Sequence, residues 1–182
     1  LTALNSALED FYDLFICCCS YEKRCYSIAQ NLGSEKIKRA IIFSNSDLEE
    51  YVLSNREIIT NHFRDKHEIV NINTNDPLLT ADNISKSLFK SLSSKYNKKL
   101  LIDITTFTHE SLLILINILH TFFHSSQVTL CYSNAIEYSI GDDLSHKWLS
   151  RGIADIRSVL GYPGNLSPSK KNHLILIVGY EH

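Results

Sequence analysis

The chain has 182 residues, 44% hydrophobic and 21% charged, which is the composition of a folded globular domain rather than of a disordered segment. Its formal charge of −2 does not indicate direct nucleic-acid binding. The longest apolar run, Leu112 to Leu119, is too short to span a bilayer and no signal peptide is visible, so we expect a cytoplasmic protein without a membrane partner.

Apolar runs alternate with helical patterns along the first 135 residues. In chain order, the predicted elements are strand Asp13–Cys19, helix Tyr21–Leu32, strand Arg39–Ser44, helix 46–65, strand Glu68–Ile72, a helix from Asp76-Pro77, strand Lys99–Thr105, helix Thr108–His124 and strand Gln127–Tyr132. The strands lack clean polar alternation, as is typical of strands buried on both faces. We therefore predict an α/β fold, a Rossmann-like three-layer sandwich with a mainly parallel sheet of five to six strands.

Polar and special residues mark the ends of the predicted helices. Ser20 is predicted to cap the first helix and Gly33 to end it. The phrase from Ser46 to Glu49 has the form of a capping box, and Asp76 precedes a proline suited to a first helical turn. These signals support the assignment of helices between the strands.

The pattern changes after Ala135. Residues 136–172 contain several Gly, Pro and Ser clusters, and the apolar run Leu174–Val178 follows them. We predict a Rossmann-like domain over residues 1–135, then a turn-rich connection over 136–182 that ends in a final strand of the sheet or the start of a second unit. Because the chain begins with Leu1 and contains no methionine, we interpret it as a fragment or a processed chain. Since His182 follows directly on Tyr180-Glu181, we expect a missing C-terminal portion.

Five apolar residues, one small residue and then Tyr-Glu occur twice. The copies are Phe15–Cys19 with Ser20-Tyr21-Glu22, and Leu174–Val178 with Gly179-Tyr180-Glu181. Each has the pattern of a buried strand ending at a sharp turn, and ligands of open α/β sheets bind at the carboxyl ends of strands. We therefore predict related ligand sites, one at Ser20, Tyr21, Glu22 and Arg24, the other at Gly179, Tyr180 and Glu181.

The chemistry predicted for the first copy is anion binding. A helix that starts after Ser20 exposes backbone N–H groups that favour phosphate, and Arg24 adds positive charge. The alternative is that Ser20 only caps the helix and Glu22 only complements its dipole. Neither a Gly-x-Gly-x-x-Gly loop nor a P-loop occurs, so the usual dinucleotide and triphosphate signatures are absent.

A second polar cluster follows the fourth predicted strand. Asp103, Thr105 and Thr106 lie in one short phrase that leads into a helix. A carboxylate with hydroxyls can hydrogen-bond a ribose or a phosphate, and the first and fourth strand ends face one crevice if they are neighbours at a switch point. The alternative is that Asp103 forms a turn and that Thr106 or Thr108 caps the helix.

The phrase Asp103-Ile104-Thr105 resembles the Asp-x-Thr motif that follows the fourth strand of CARF domains. That family usually continues with glycines, where this chain has Thr106-Phe107. The resemblance implies a nucleotide or cyclic nucleotide ligand, a role in antiviral defence, and assembly as a homo-oligomer or in a larger complex. It extends to Asp103 and Thr105 among the candidate site residues.

Three functions are consistent with these patterns. The first is a regulatory domain that recognises a nucleotide or nucleotide-derived signal, in which Arg24 and backbone amides bind phosphate and Asp103 binds a hydroxyl. The second is a nucleotide- or nucleoside-processing enzyme of the glycosidase or transferase type, with Glu22 or Glu181 as catalytic carboxylate. The third is an oligomerising scaffold that assembles through the apolar fourth helix, and fold alone does not choose among them.

Metal and cofactor sites are not indicated. The five cysteines, among them Cys17–Cys19, lack zinc-site spacing and are expected to be small buried residues in a reducing compartment. His120 and His124 stand four residues apart on the fourth helix, but no third ligand is evident nearby, so we expect them to face solvent. The sequence therefore predicts neither a metal nor a cofactor.

Overall fold

The computed structural model describes residues 10–45, 49–92, 97–135 and 156–162, with the backbone alone for residues 49–51. The chain divides into two compact units, residues 1–134 and 135–182. In the second unit, residues 159–162 form a hydrogen-bonded turn, in which Tyr162 N donates to Val159 O over 3.0 Å. Gly161 occupies the third position of this turn with φ 88°, a conformation that glycine adopts without strain.

The strands that the structure describes in the first unit are five in number, and they form one parallel sheet. They are β1 (Tyr12–Cys19), β2 (Ile37–Asn45), β3 (His67–Ile72), β4 (Lys99–Asp103) and β5 (Gln127–Cys131). The order across the sheet is β3-β2-β1-β4-β5, and every neighbouring pair is parallel. The predicted Rossmann-like α/β fold with a parallel sheet is therefore confirmed.

The described α-helices connect these strands. They are α1 (Ser27–Asn31), α2 (Glu49–Phe63), α3 (Pro77–Ser91) and α4 (His109–Phe122). From β1 the chain moves toward one edge of the sheet through β2 and β3, and it then crosses back to β4 and moves toward the other edge through β5. Each connection between parallel strands is expected to be right-handed. Helices α1 and α2 therefore cover one face of the sheet, and α3 and α4 cover the other. None of the described helices is long and apolar enough to cross a membrane.

Strand β1 lies at the centre of the core, which explains its continuous apolar sequence. Leu14, Phe15, Ile16 and Cys17 are all inaccessible to solvent. The ring of Phe15 packs against Phe63 of α2, with 5.3 Å between the ring centroids. A strand covered by helices on both faces has no solvent-facing position for a polar residue, so no alternation is seen.

The predicted helix Tyr21–Leu32 is wrong in its extent. The predictions that Ser20 caps it and that Gly33 ends it are also wrong. Tyr21 and Glu22 form a bend, a 3-10 turn covers Lys23–Tyr26, and only the five residues of α1 are α-helical. The Ser20 hydroxyl caps no helix; it accepts a hydrogen bond from Glu22 N at 3.3 Å and stabilises the bend. Gly33 lies beyond the end of α1 with φ −61°, so it forms no left-handed cap.

The starts of the later helices agree better with the sequence. The Asp76 side chain caps α3 by accepting from Leu79 N at 2.9 Å, and Thr108 caps α4 by accepting from Ser111 N at 3.2 Å. Strand β4 ends at Asp103 rather than at the predicted Thr105, because Thr105 N turns back to the Asp103 carboxylate. The capping box predicted at 46–49 begins outside the described residues.

Candidate ligand site at the switch point of the sheet

The direction of strand addition reverses between β1 and β4, which are hydrogen-bonded neighbours. Beyond the carboxyl ends of such a pair, the following segments separate toward opposite faces and leave a crevice. The segment Ser20–Arg24 follows β1, and the segment Ile104–Thr108 follows β4. The two sequence clusters predicted to share one crevice therefore lie on neighbouring strands.

Thr106 connects these two segments directly. Its hydroxyl donates to the backbone oxygen of Cys18 in β1 at 2.5 Å. The predicted capping role belongs to Thr108, not to Thr106. Thr106 therefore fixes the loop after β4 against β1.

Arg24 joins the segment after β1 to the segment after β5. Its Nε and one terminal nitrogen donate to the Glu22 carboxylate at 2.9 and 2.5 Å. The other terminal nitrogen donates to Ser133 O at 3.0 Å and lies 3.4 Å from the Tyr132 hydroxyl. A guanidinium held by a carboxylate on one side and by a carbonyl on the other is fixed in orientation before any ligand binds.

Asp103 is fully buried at the end of β4. One carboxylate oxygen, Oδ1, accepts from Thr105 N at 3.0 Å and from the Thr105 hydroxyl, which is the turn that the sequence left as an alternative. The other oxygen, Oδ2, has no hydrogen-bond partner among the described residues. Burial raises the pKa of Asp103 to about 6, although the two Thr105 hydrogen bonds and the positive charge of Arg24 lower it.

Thr105 links the turn after β4 to the segment that follows β5. Its hydroxyl donates to Asp103 and accepts from Ser133 N at 2.9 Å. Next to it, Ile104 N donates to Cys131 O at 2.9 Å. These bonds fix Ser133 O where Arg24 reaches it, so the ends of β1, β4 and β5 form one hydrogen-bonded cluster.

Two tyrosines lie at the solvent-facing side of this cluster. Tyr21 is 49% exposed and Tyr132 is 48% exposed. The Tyr132 hydroxyl lies beside Arg24, and Tyr21 lies close enough to the Glu22–Arg24 pair to feel both charges. Burial, followed by the negative charge of Glu22, raises the pKa of Tyr21, although the positive charge of Arg24 lowers it. Aromatic faces beside a fixed cation can stack on a planar ring.

Asn55 of α2 belongs to the site, and the sequence reasoning missed it. Its side-chain nitrogen donates to Ser20 O at 2.9 Å and to Tyr21 O at 3.1 Å, and the residue is 7% exposed. Through these two hydrogen bonds, Asn55 of α2 fixes the bend after β1. Asn55 stands at helical spacing from the buried Val52 and Ile59, so the sequence places a polar amide on the apolar face of α2. That polar residue on an apolar face is the feature that could have indicated it.

Several predicted residues do not contribute to this cluster. Gly179, Tyr180 and Glu181 lie outside the described residues, so the structure does not bear on the second copy. His120 and His124 are exposed on and just beyond α4. Within the described part of the chain, no group of three or more His, Cys, Asp or Glu side chains is arranged to hold a metal ion.

The arrangement defines a class of protein, a Rossmann-like α/β domain with an arginine-centred polar cluster at the switch point of its sheet. No protein-family model matches the chain, and no curated protein is significantly similar to it in sequence.

Proposed function

We propose that this protein is a regulatory domain that recognises a nucleotide or nucleotide-derived signal at the switch-point cluster. The observation that carries the proposal is the fixed guanidinium of Arg24, with the exposed Tyr132 hydroxyl 3.4 Å from it and the exposed Tyr21 in the adjoining bend after β1. A guanidinium is suited to a phosphate, and tyrosine faces are suited to a base. Linear and cyclic nucleotides combine both groups.

The surroundings of the carboxylates of Glu22 and Asp103 favour ligand binding over catalysis. Glu22 is engaged by two nitrogens of Arg24, and Asp103 is inaccessible to solvent. A general base or nucleophile must reach the reacting atom, which the inaccessible Asp103 does not do. Glu22 is 37% exposed, but its Oε2 accepts from two nitrogens of Arg24, which ties that oxygen to a positive charge. The glycosidase-type alternative through Glu22 is thus less well supported, and Glu181 is outside the described residues.

The wider role in the proposal follows the resemblance to CARF domains at Asp103 and Thr105. We include in it a cytoplasmic location, a part in antiviral defence, and action as a homo-oligomer or within a larger complex. Asp103 is buried, and through Thr105 it supports the loop after β4. Its contact with a ligand hydroxyl stays a prediction.

Arg24→Gln is expected to weaken nucleotide binding by about 10–100-fold, because it removes charge-assisted hydrogen bonds worth about 1.5–3 kcal/mol. The measurement is thermal unfolding of the purified chain with linear mononucleotides, cyclic mononucleotides and cyclic oligonucleotides. A nucleotide at a hundredfold excess over its Kd should raise the Tm of the wild type by about 5–10 °C. The same concentration should shift the Tm of the variant much less.

The matched control is Arg64→Gln, which makes the same change at an exposed residue just before β3. It should bind nucleotide like the wild type. The Glu22–Arg24 pair is partly exposed and contributes about 0–1 kcal/mol to stability, and the bond to Ser133 O adds about 1 kcal/mol, so Arg24→Gln should lower stability by about 1–2 kcal/mol and still fold. The proposal fails if no nucleotide shifts the Tm of the wild type, or if the two variants respond alike.

A further inference from the structure

A second cleft lies away from the switch point, between the edge strand β3 and helix α3. Its volume is about 310 Å³. The strand contributes the stretch Glu68–Asn71, and the helix contributes one face, Asn83, Lys86, Ser87 and Lys90. In the described sheet β3 pairs only with β2, so its outer side faces this cleft.

The backbone of β3 offers hydrogen-bonding groups toward the cleft. Asn83 donates its side-chain nitrogen to Asn71 O at 2.9 Å, so the backbone of Asn71 points away from β2. Residues two apart in a strand point their backbone groups the same way, and Ile69 therefore presents its N–H and C=O outward as well. Beyond this stretch, the Thr80 hydroxyl binds both Asn73 N and Asn73 O and closes the edge.

Ser87 gives an independent sign that a polar group belongs in the cleft. The residue is 3% exposed and lines the cleft, yet its hydroxyl has no hydrogen-bond partner among the described residues. A buried hydroxyl without a partner costs about 1–3 kcal/mol. A bound group that hydrogen-bonds Ser87 would recover that cost.

The charges around the cleft are mainly positive. Glu68 is paired with Lys90 at 3.2 Å and lies 3.8 Å from Arg39. Lys86 is exposed on the same face of α3, one turn before Lys90. Among the residues that line the cleft, Lys86 and Lys90 are cations and Glu68 is a carboxylate, so the lining carries a net positive charge, which favours an acidic partner.

We propose that this edge binds an extended acidic peptide segment of a partner protein, which adds to the sheet as a strand beside β3. Backbone hydrogen bonds at Ile69 would hold the segment, its carboxylates would face Lys86 and Lys90, and one of its polar groups would reach Ser87. A second copy of the chain fits less well as the added strand. The one carboxylate of β3 is Glu68, and in each copy it is already paired with Lys90, so it cannot supply the negative charges that Lys86 and Lys90 favour.

The probe is a capped, fluorescently labelled peptide of eight residues that alternates valine and glutamate, titrated with the purified full chain and followed by fluorescence anisotropy. Saturable binding is expected, with a Kd of about 10–100 µM, typical of a short strand with few anchors. The same peptide with lysine in place of glutamate should not bind. A peptide methylated on alternate backbone nitrogens should also lose binding.

Two substitutions localise the interaction. Lys86→Ala should weaken binding of the peptide about fivefold, whereas Lys38→Ala, at an exposed lysine on β2 before its pairing with β3 begins, should not. Ser87→Ala should weaken it about 3–10-fold while leaving the Tm of the free protein unchanged or higher, because the variant loses a hydroxyl that has no partner in the described chain.

Three outcomes would overturn the proposal. One is the absence of saturable binding up to about 1 mM peptide, the weak limit of specific recognition. Another is equal binding of the glutamate and lysine peptides, which would remove the electrostatic argument. The third is a dimer of the chain that Ile69→Lys converts to a monomer, which would assign the edge to a second copy instead.

Discussion

Replacing Asp103 with Asn is expected to stabilise the protein progressively more, relative to the wild type, as the pH rises from 4 to 7.5. The expected rise in this difference is about 2–3 kcal/mol of unfolding free energy, from a pKa moved from 3.8 to about 6. Asn keeps an oxygen for Thr105 N and for the Thr105 hydroxyl, so the turn after β4 is preserved.

The direction follows from burial. Since the pKa of Asp103 is raised on folding, the folded protein binds the proton more tightly than the unfolded chain does. The associated stability is fully present below about pH 4 and is lost as the pH rises through about 6. Asn carries no titrating proton, so the variant does not lose this contribution.

Urea denaturation at a series of pH values measures this difference. Asp82→Asn, at an exposed position on α3, is the matched control and should follow the wild type at every pH. Parallel pH profiles for Asp103→Asn and the wild type would contradict the assignment of Asp103 as a buried carboxylate with a raised pKa.

Asn55→Ala is expected to lower the free energy of unfolding by about 2–3 kcal/mol. Ser20 O and Tyr21 O both accept from the Asn55 side chain, and its removal leaves partly buried carbonyls without that donor. The bend after β1 should loosen, so nucleotide binding should weaken together with stability.

Asn61→Ala is the control for Asn55→Ala, because Asn61 lies on the same helix, α2, and is exposed. Its effect on stability should stay within about 0.5 kcal/mol. Equal effects of the two substitutions would show that helix propensity, and not the contact with the bend, determines the loss.

The strands could be predicted because burial fixes their sequence. Strand β1, covered on both faces, must be apolar at every central position, and Phe15–Cys19 shows this directly. The first helix could not be predicted in the same way. Its segment has ordinary helix propensity and a serine near its start, but the Ser20 hydroxyl stabilises a bend in competition with a helix cap.

The site was predictable in position but not in its connections. Parallel topology brings the ends of β1 and β4 together, so Ser20–Arg24 and Asp103–Thr106 were found from their places after strands. The bond from Arg24 to Ser133 spans 109 residues and depends on β5 lying beside β4. No local pattern specifies such a contact, and a lone Asn55 on an apolar helix face gives only a weak signal.

The central claim is that a nucleotide binds at the switch-point cluster. The most direct test is an amide-resolved NMR titration of the ¹⁵N-labelled chain with the nucleotide that raises its Tm most. The largest shifts should fall on Tyr21–Arg24, Thr105–Thr108 and Tyr132–Asn134, and in Arg24→Gln they should need about 10–100-fold more nucleotide to appear. Shifts centred on β3 and α3, or no saturable shift with any nucleotide, would contradict it.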